Sequence, residues 1–281
     1  MPPRQPPGPR PPGPSPAPVW RFVAAGAIGG FMSGLFGIGG GIVMVPLLIW
    51  LARLDQRRAS ATSLAAILPT AVVGAAAYGW RGHLALGPAV AVAAGAAAGA
   101  WLGARALRAL KLTVLNWAFV VLIAATAAGM VFYTPTRSQA GAPSLAAWAG
   151  LVALGVVMGL AAGLFGIGGG VIAVPALMAV FGFGDLLARG TSLAVMAPAA
   201  VTGSITNRRG GLLDWRAAAA AGLSATAASL GGSALAFAIP PRLGNLLFAA
   251  LLVVSAVQLA RRAARRRPRP GGERDRAGGG Q

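Results

Sequence analysis

The segment GLFGIGGGIVMVPLL, beginning at Gly34, returns as GLFGIGGGVIAVPAL, beginning at Gly163, a constant 129 positions later. The register then holds without a gap. Pro46 pairs with Pro175, Thr62-Ser63-Leu64 with Thr191-Ser192-Leu193, Pro69 with Pro198, and Gly74 with Gly203. Gly82 pairs with Gly211, Gly103 with Gly232, Asn116 with Asn245, and Phe119 with Phe248. Chance does not hold one register over such a length, so the chain is an internal duplication and its fold must be built from two similar halves.

Each half carries five apolar segments, at about 19–36, 42–52, 60–80, 86–104 and 112–133, then at about 145–165, 171–183, 190–206, 216–238 and 243–260. Hydrophobic residues make up 56% of the chain and charged residues 10%, against about 25% charged in a soluble domain. The chain therefore reads as a polytopic membrane protein. A helix needs about 20 residues to cross a 30 Å hydrocarbon core at 1.5 Å per residue. The second segment of each half is too short to cross, so the glycine run before it must lie within the membrane.

The formal net charge of +19 does not point to nucleic acid. Eight of the 24 basic residues fall in the tail from Arg261 to Arg276, and the others stand in small groups between apolar segments, where Arg and Lys orient membrane proteins. With the N-terminus cytoplasmic, the inside loops carry Arg53, Arg57, Arg58, Arg105, Arg108, Lys111, Arg208, Arg209 and Arg216. The outside loops carry Arg81, Arg137, Arg189 and Arg242. An odd number of crossings per half inverts the second copy relative to the first; a parallel arrangement would leave basic clusters on both faces. The expected fold is all-α: two inverted-topology repeats of about five apolar segments each, with Gly-broken half-helices meeting near the midplane, as in secondary transporters. The organisation expected is a Pro-rich disordered arm at 1–18, repeat 1 at 19–134, a linker at 135–144, repeat 2 at 145–261, and a disordered basic tail at 262–281 that can touch anionic lipid.

Glycine weakens a helix interior by about 1 kcal/mol relative to alanine, so Gly37, Gly39, Gly40 and Gly41, with Gly166, Gly168, Gly169 and Gly170, should open the helix. Opened backbone inside a bilayer survives only where it is buried in protein or lines a cavity. A helix starting at the break aims its free N–H groups and about half a positive charge at that spot, and an inverted repeat brings two such ends together. That describes an anion site built without buried lysine or arginine. Helix packing is the other use of small residues, and Gly95, Gly99, Gly103, Gly155, Gly159 and Gly163 have that spacing. The dinucleotide fingerprint fails, because Ile42 and Val171 stand where its last glycine belongs. Thr62 and Ser63, with Thr191 and Ser192, open the third segments and either cap the helix or donate hydroxyls to the anion. Asn116 and Asn245 near the fifth segments either bond between helices or meet substrate.

The acids Asp55, Asp185 and Asp214 sit at loop edges, and Glu273 and Asp275 in the tail. No carboxylate stands deep in an apolar segment, where proton coupling usually places one. The chain has no cysteine and one histidine, His83, so neither a metal nor a cofactor is expected, and no catalytic set suggests an enzyme. The twin G-x-G-G-G-x-x-x-x-P stretches, Gly37–Pro46 and Gly166–Pro175, with the A-T-S-L at 61–64 and G-T-S-L at 190–193, resemble the TauE/SafE-like anion permeases, described as probable membrane transporters or sulfite exporters. The resemblance spans roughly 20–260. It implies a bacterial cytoplasmic-membrane protein moving sulfite, sulfonates or related organic anions. The expected function is a secondary transporter of a small anion. An anion channel with the same site and a membrane scaffold without transport are the alternatives. The residues choose neither the anion nor the oligomeric state.

Overall fold

The computed structural model of the chain describes residues 17–111, positions 114, 117, 118, 120, 121 and 124, and residues 145–265. Most of the Pro-rich arm, much of the fifth segment of the first half with Asn116, the linker at 135–144 and most of the basic tail lie outside the described residues.

The described elements are α-helices. The first half gives α1 (Val19–Phe36), α2 (Gly41–Leu51), α3 (Gln56–Gly79) and α4 (Leu86–Ala109). The second gives α5 (Leu145–Phe165), α6 (Gly170–Ala179), α7 (Asp185–Arg209), α8 (Trp215–Ala238) and α9 (Pro241–Arg265). Six of them, α1, α3, α4, α5, α7 and α8, are long and apolar enough to cross a bilayer. At 1.5 Å per residue α2 and α6 reach only about 15 Å, half a hydrocarbon core. The helix α9 continues to Arg265, into the stretch 262–281 read as a tail; Ala and Arg are strong helix formers and carry the helix onward.

Two boundaries differ from expectation. The third helix of each half starts earlier than its apolar run, at Gln56 and Asp185 rather than near 60 and 190. In α3 the reason is local: the Asp55 carboxylate accepts from Arg57 N–H at 2.9 Å and Arg58 N–H at 3.0 Å, which caps the helix among polar residues. Thr62 and Ser63 therefore stand inside α3, and Thr191 and Ser192 inside α7, so none of the four is an N-cap.

Glycine sets the packing. On α4, a Cβ at Gly95, Gly99 or Gly103 would strike the carbonyl oxygens of Val152, Val156 and Leu160 on α5. On α5, a Cβ at Gly155, Gly159 or Gly163 would strike those of Val92, Ala96 and Ala100. Both series ascend together, so α4 and α5 run parallel with their backbones in contact. The same seam joins α1 to α8, where Gly26, Gly30 and Gly34 abut Ala221, Ala225 and Ser229. Without a hydrophobic force between helices in lipid, such close approach supplies the dispersion contact that holds them. Each half thus packs its first helix on the other half's fourth. Between the seams α3 crosses α7. Leu64 meets Gly203, Gly74 meets Leu193, and Tyr78 meets Gly190, a descending series that makes these equivalent helices antiparallel.

Candidate functional site

The helix α1 ends at Gly37, whose φ of 70° is left-handed and whose N–H closes the last turn on Ser33 O at 2.8 Å. The next helix begins after Gly40, also left-handed at φ 68°. Glycine takes that conformation without steric cost, which is why the chain can stop one helix and start another within four residues. Gly166 and Gly169 repeat the device at φ 70° and 82°. After the break α2 doubles back along α1, so that Phe22, Met44, Val45 and Leu48 share one apolar cluster.

The two breaks touch. A Cβ on Gly41 would press on Ile167 Cα and on Gly166 O, and one on Gly170 would lie 2.6 Å from Ile38 Cα and 2.9 Å from Gly37 O. All residues of both runs, 37–41 and 166–170, are buried. The space around their meeting point is filled by Ile67 of α3 and Met196 of α7, equivalent positions of the two halves: a Cβ on Gly39 would lie 2.6 Å from Met196 Sδ and 3.4 Å from Ile67 Cγ2.

The amides of the breaks are left over. The first backbone bonds after each break are Val43 and Met44 to Gly40 O, and Ile172 and Ala173 to Gly169 O. Among the described residues, the N–H groups of Ile38, Gly39, Gly40, Gly41 and Ile42 find no acceptor, and neither do those of Ile167, Gly168, Gly169, Gly170 and Val171. More than 90% of buried backbone amides are paired in folded proteins, so two symmetric runs of donors without a partner among the described residues set this place apart.

The four expected hydroxyls divide. All are buried. Ser63 Oγ reaches across and donates to Gly166 O at 2.9 Å. Thr191 Oγ1 accepts from Ala85 N–H at 3.1 Å and so braces the loop before α4. Thr62 Oγ1 and Ser192 Oγ have no partner among the described residues. The structure thus brings all eight glycines and Ser63 to one place and turns Thr191 elsewhere.

One charged residue was misplaced by sequence reasoning. Arg189 is not an outer-loop residue: it is 4% exposed in the second turn of α7, with its backbone against Gly37. Its Nη1 donates to Leu35 O at 2.8 Å, and its Nη2 lies 3.8 Å from Asp185 Oδ2, itself 1% exposed. Tyr78 Oη donates to Gly34 O at 2.9 Å. These side chains close the end of α1 by taking up carbonyls that a helix terminus leaves free. The expectation of glycine breaks without a buried arginine is corrected: one break has a buried, paired arginine at its side. The i, i+4 spacing of Asp185 and Arg189 was the available signal.

The architecture places the chain among polytopic all-helical membrane proteins, with its least satisfied backbone at the centre of the packed bundle. The comparisons give that class a family. The family model described as sulfite exporter TauE/SafE matches residues 2–130 and 151–280, and the chain belongs to that family. A probable membrane transporter protein of Xylella fastidiosa is 30% identical over 201 residues, covering 69% of this chain and 75% of that protein. The probable membrane transporter protein YunE of Bacillus subtilis is 28% identical over 216 residues, covering 69% and 79%. No solved structure matches the chain.

Proposed function

We propose that the chain is a secondary transporter of a small anion, sulfite, a sulfonate or a related organic anion, and that the two glycine breaks are its binding site. The observation that carries this reading is the pair of buried amide runs, 38–42 and 167–171, in contact and without partners among the described residues. Two short helices starting there contribute roughly one unit of positive potential between them. An anion accepting from both breaks would satisfy the donors of both halves at once. Binding requires Met196 to leave the meeting point; its unbranched, flexible side chain suits it to move.

The antiparallel crossing of α3 and α7 supports two inverted repeats, and with it alternating access: the halves rock about the common site while one or the other end is closed. The burial of both breaks favours a transporter over a channel, since a conducting pore would leave them wet. With the basic loops inside, the N-terminus faces the cytoplasm of a bacterial inner membrane, with anionic lipid at the basic tail. The test is counterflow in proteoliposomes. Labelled sulfite, thiosulfate, sulfoacetate and small carboxylates are offered singly, with unlabelled anion on the far side. Saturable uptake stimulated by the trans anion is expected; large unitary currents would make it a channel, and no movement of any of these anions would refute the reading.

A further inference from the structure

The correspondence between the halves also fails at the ends of the α3–α7 pair, and there it leaves buried side chains without partners among the described residues. At the end of α3 and the start of α7, Tyr78 and Arg189 close the last carbonyls of α1, with Asp185 beside the Arg189 guanidinium. The offset of 129 maps these three onto Asn207, Ser60 and Gln56, at the opposite end of the same helix pair. Ser60 stands against the break as Arg189 does, with its backbone pressed on Gly166. The same offset maps the contact of Tyr78 with Gly190 onto Asn207 and Ala61. Yet no bond corresponding to the Tyr78–Arg189–Asp185 closure is made here. Asn207 Nδ2 and Oδ1, Ser60 Oγ and Gln56 Nε2 are buried and have no hydrogen-bond partner among the described residues.

Their neighbours are basic. Arg57, whose Nε is also buried without a partner, donates through Nη2 to Leu110 O, and Arg108 Nη1 donates to Thr206 O, the residue before Asn207. A cleft of about 510 Å³ opens beside Ser204, another unpartnered hydroxyl, with Arg208, Arg209 and Trp215 at its rim. The acids at this end, Asp55 and Asp214, are exposed and occupied as helix caps.

Each buried polar group left unpaired costs about 1–3 kcal/mol. A chain that closes one end with an ion pair and leaves Gln56, Ser60 and Asn207 with unpaired atoms at the equivalent end is keeping donors for something that visits. We propose that Gln56, Ser60 and Asn207 form a second anion subsite, between the glycine breaks and the face where α3 begins. Its neutral donors hold an anion less tightly than a buried cation would, which suits a station on a route. Asn207 offers a donor and an acceptor together, so the fitting ligand is a singly charged oxyanion that also carries an O–H. The inference rests on the transport reading above and adds the side from which the breaks are reached.

The test uses the full-length protein in proteoliposomes of one orientation, with hydrogen sulfite flux measured separately from each face. Asn207→Leu and Ser60→Ala are compared with the unaltered chain. The expected result is a rise in half-saturation of about tenfold, the loss of one good hydrogen bond, from the face where α3 begins and no change from the other. Melting of the solubilised variants, without anion, should stay level or rise, because orphan polar atoms have been removed. An unchanged half-saturation from both faces, or equal loss from both with lowered melting, overturns the subsite and leaves the central site standing. If the unaltered chain moves no anion, the transport reading fails. The subsite is then decided by calorimetric titration with hydrogen sulfite, where equal binding by Ser60→Ala and the unaltered chain overturns it.

Discussion

Adding one methyl group at Gly41 tests whether the contact between the breaks is functional. Gly41 begins α2 with ordinary helical backbone, so alanine meets no conformational penalty and gains about 1 kcal/mol of helix propensity. The cost is steric. The new Cβ would lie 2.5 Å from Gly166 O and closer still to Ile167 Cα. Restoring ordinary contact at about 3.5 Å requires the breaks to part by roughly 1 Å. Overpacking of that kind costs about 1–3 kcal/mol, largely offset by the propensity gain, so net stability should change by no more than about 2 kcal/mol. Displacing binding groups by 1 Å lowers turnover about a hundredfold. The assay is counterflow in proteoliposomes beside thermal melting in detergent, with Gly170→Ala as the equivalent variant. Gly82→Ala is the control, because its φ of 75° is strained for alanine but nothing lies within 4 Å of the new atom. It should lose about 1–3 kcal/mol of stability and keep its flux. Wild-type flux in both Gly41→Ala and Gly170→Ala would refute the reasoning, since the breaks would then tolerate separation.

Arg189→Met removes the cation beside the buried Asp185 carboxylate and should cost about 3–5 kcal/mol; the double variant Arg189→Met/Asp185→Leu should recover part of it, as read by melting temperature. Tyr78→Phe removes one buried bond to Gly34 O and should cost about 1 kcal/mol, by the same measurement. Asp55→Ala removes the cap of α3, also worth about 1 kcal/mol, and its flux should remain unchanged. Gly99→Val puts a branched side chain against the Val156 carbonyl; it should separate α4 from α5 and abolish recovery of folded protein in size-exclusion chromatography.

The legible parts of the fold are those written twice. The 129-residue offset located both breaks, both short helices and the equivalence of α3 with α7, because a glycine that must be left-handed or must touch another backbone tolerates no replacement within the motif. Hydropathy misjudged the starts of α3 and α7; α3 begins where the Asp55 carboxylate caps it and not where apolar residues begin. The same bias put Arg189 in a loop: charge counts assign arginine to water, while its partner four residues earlier lets it stay buried. Ile67 and Met196 carried no signal in isolation; only their shared offset marks them as a pair closing on the breaks. The orphan status of Asn207 and Ser60 depends on which residues oppose them, which composition does not encode.

The exchange of partners between the halves, α1 on α8 and α4 on α5, also bears on biogenesis. The helix α1 leaves the ribosome well before α8, and the surface it needs is synthesised some two hundred residues later. Its glycine face must wait in lipid, or under a chaperone, until Trp215 and the turns beyond it arrive. Neither half expressed alone would then mature, while the two halves made as separate polypeptides in one cell should find each other, because the α1–α8, α4–α5 and α3–α7 packings each join one to the other.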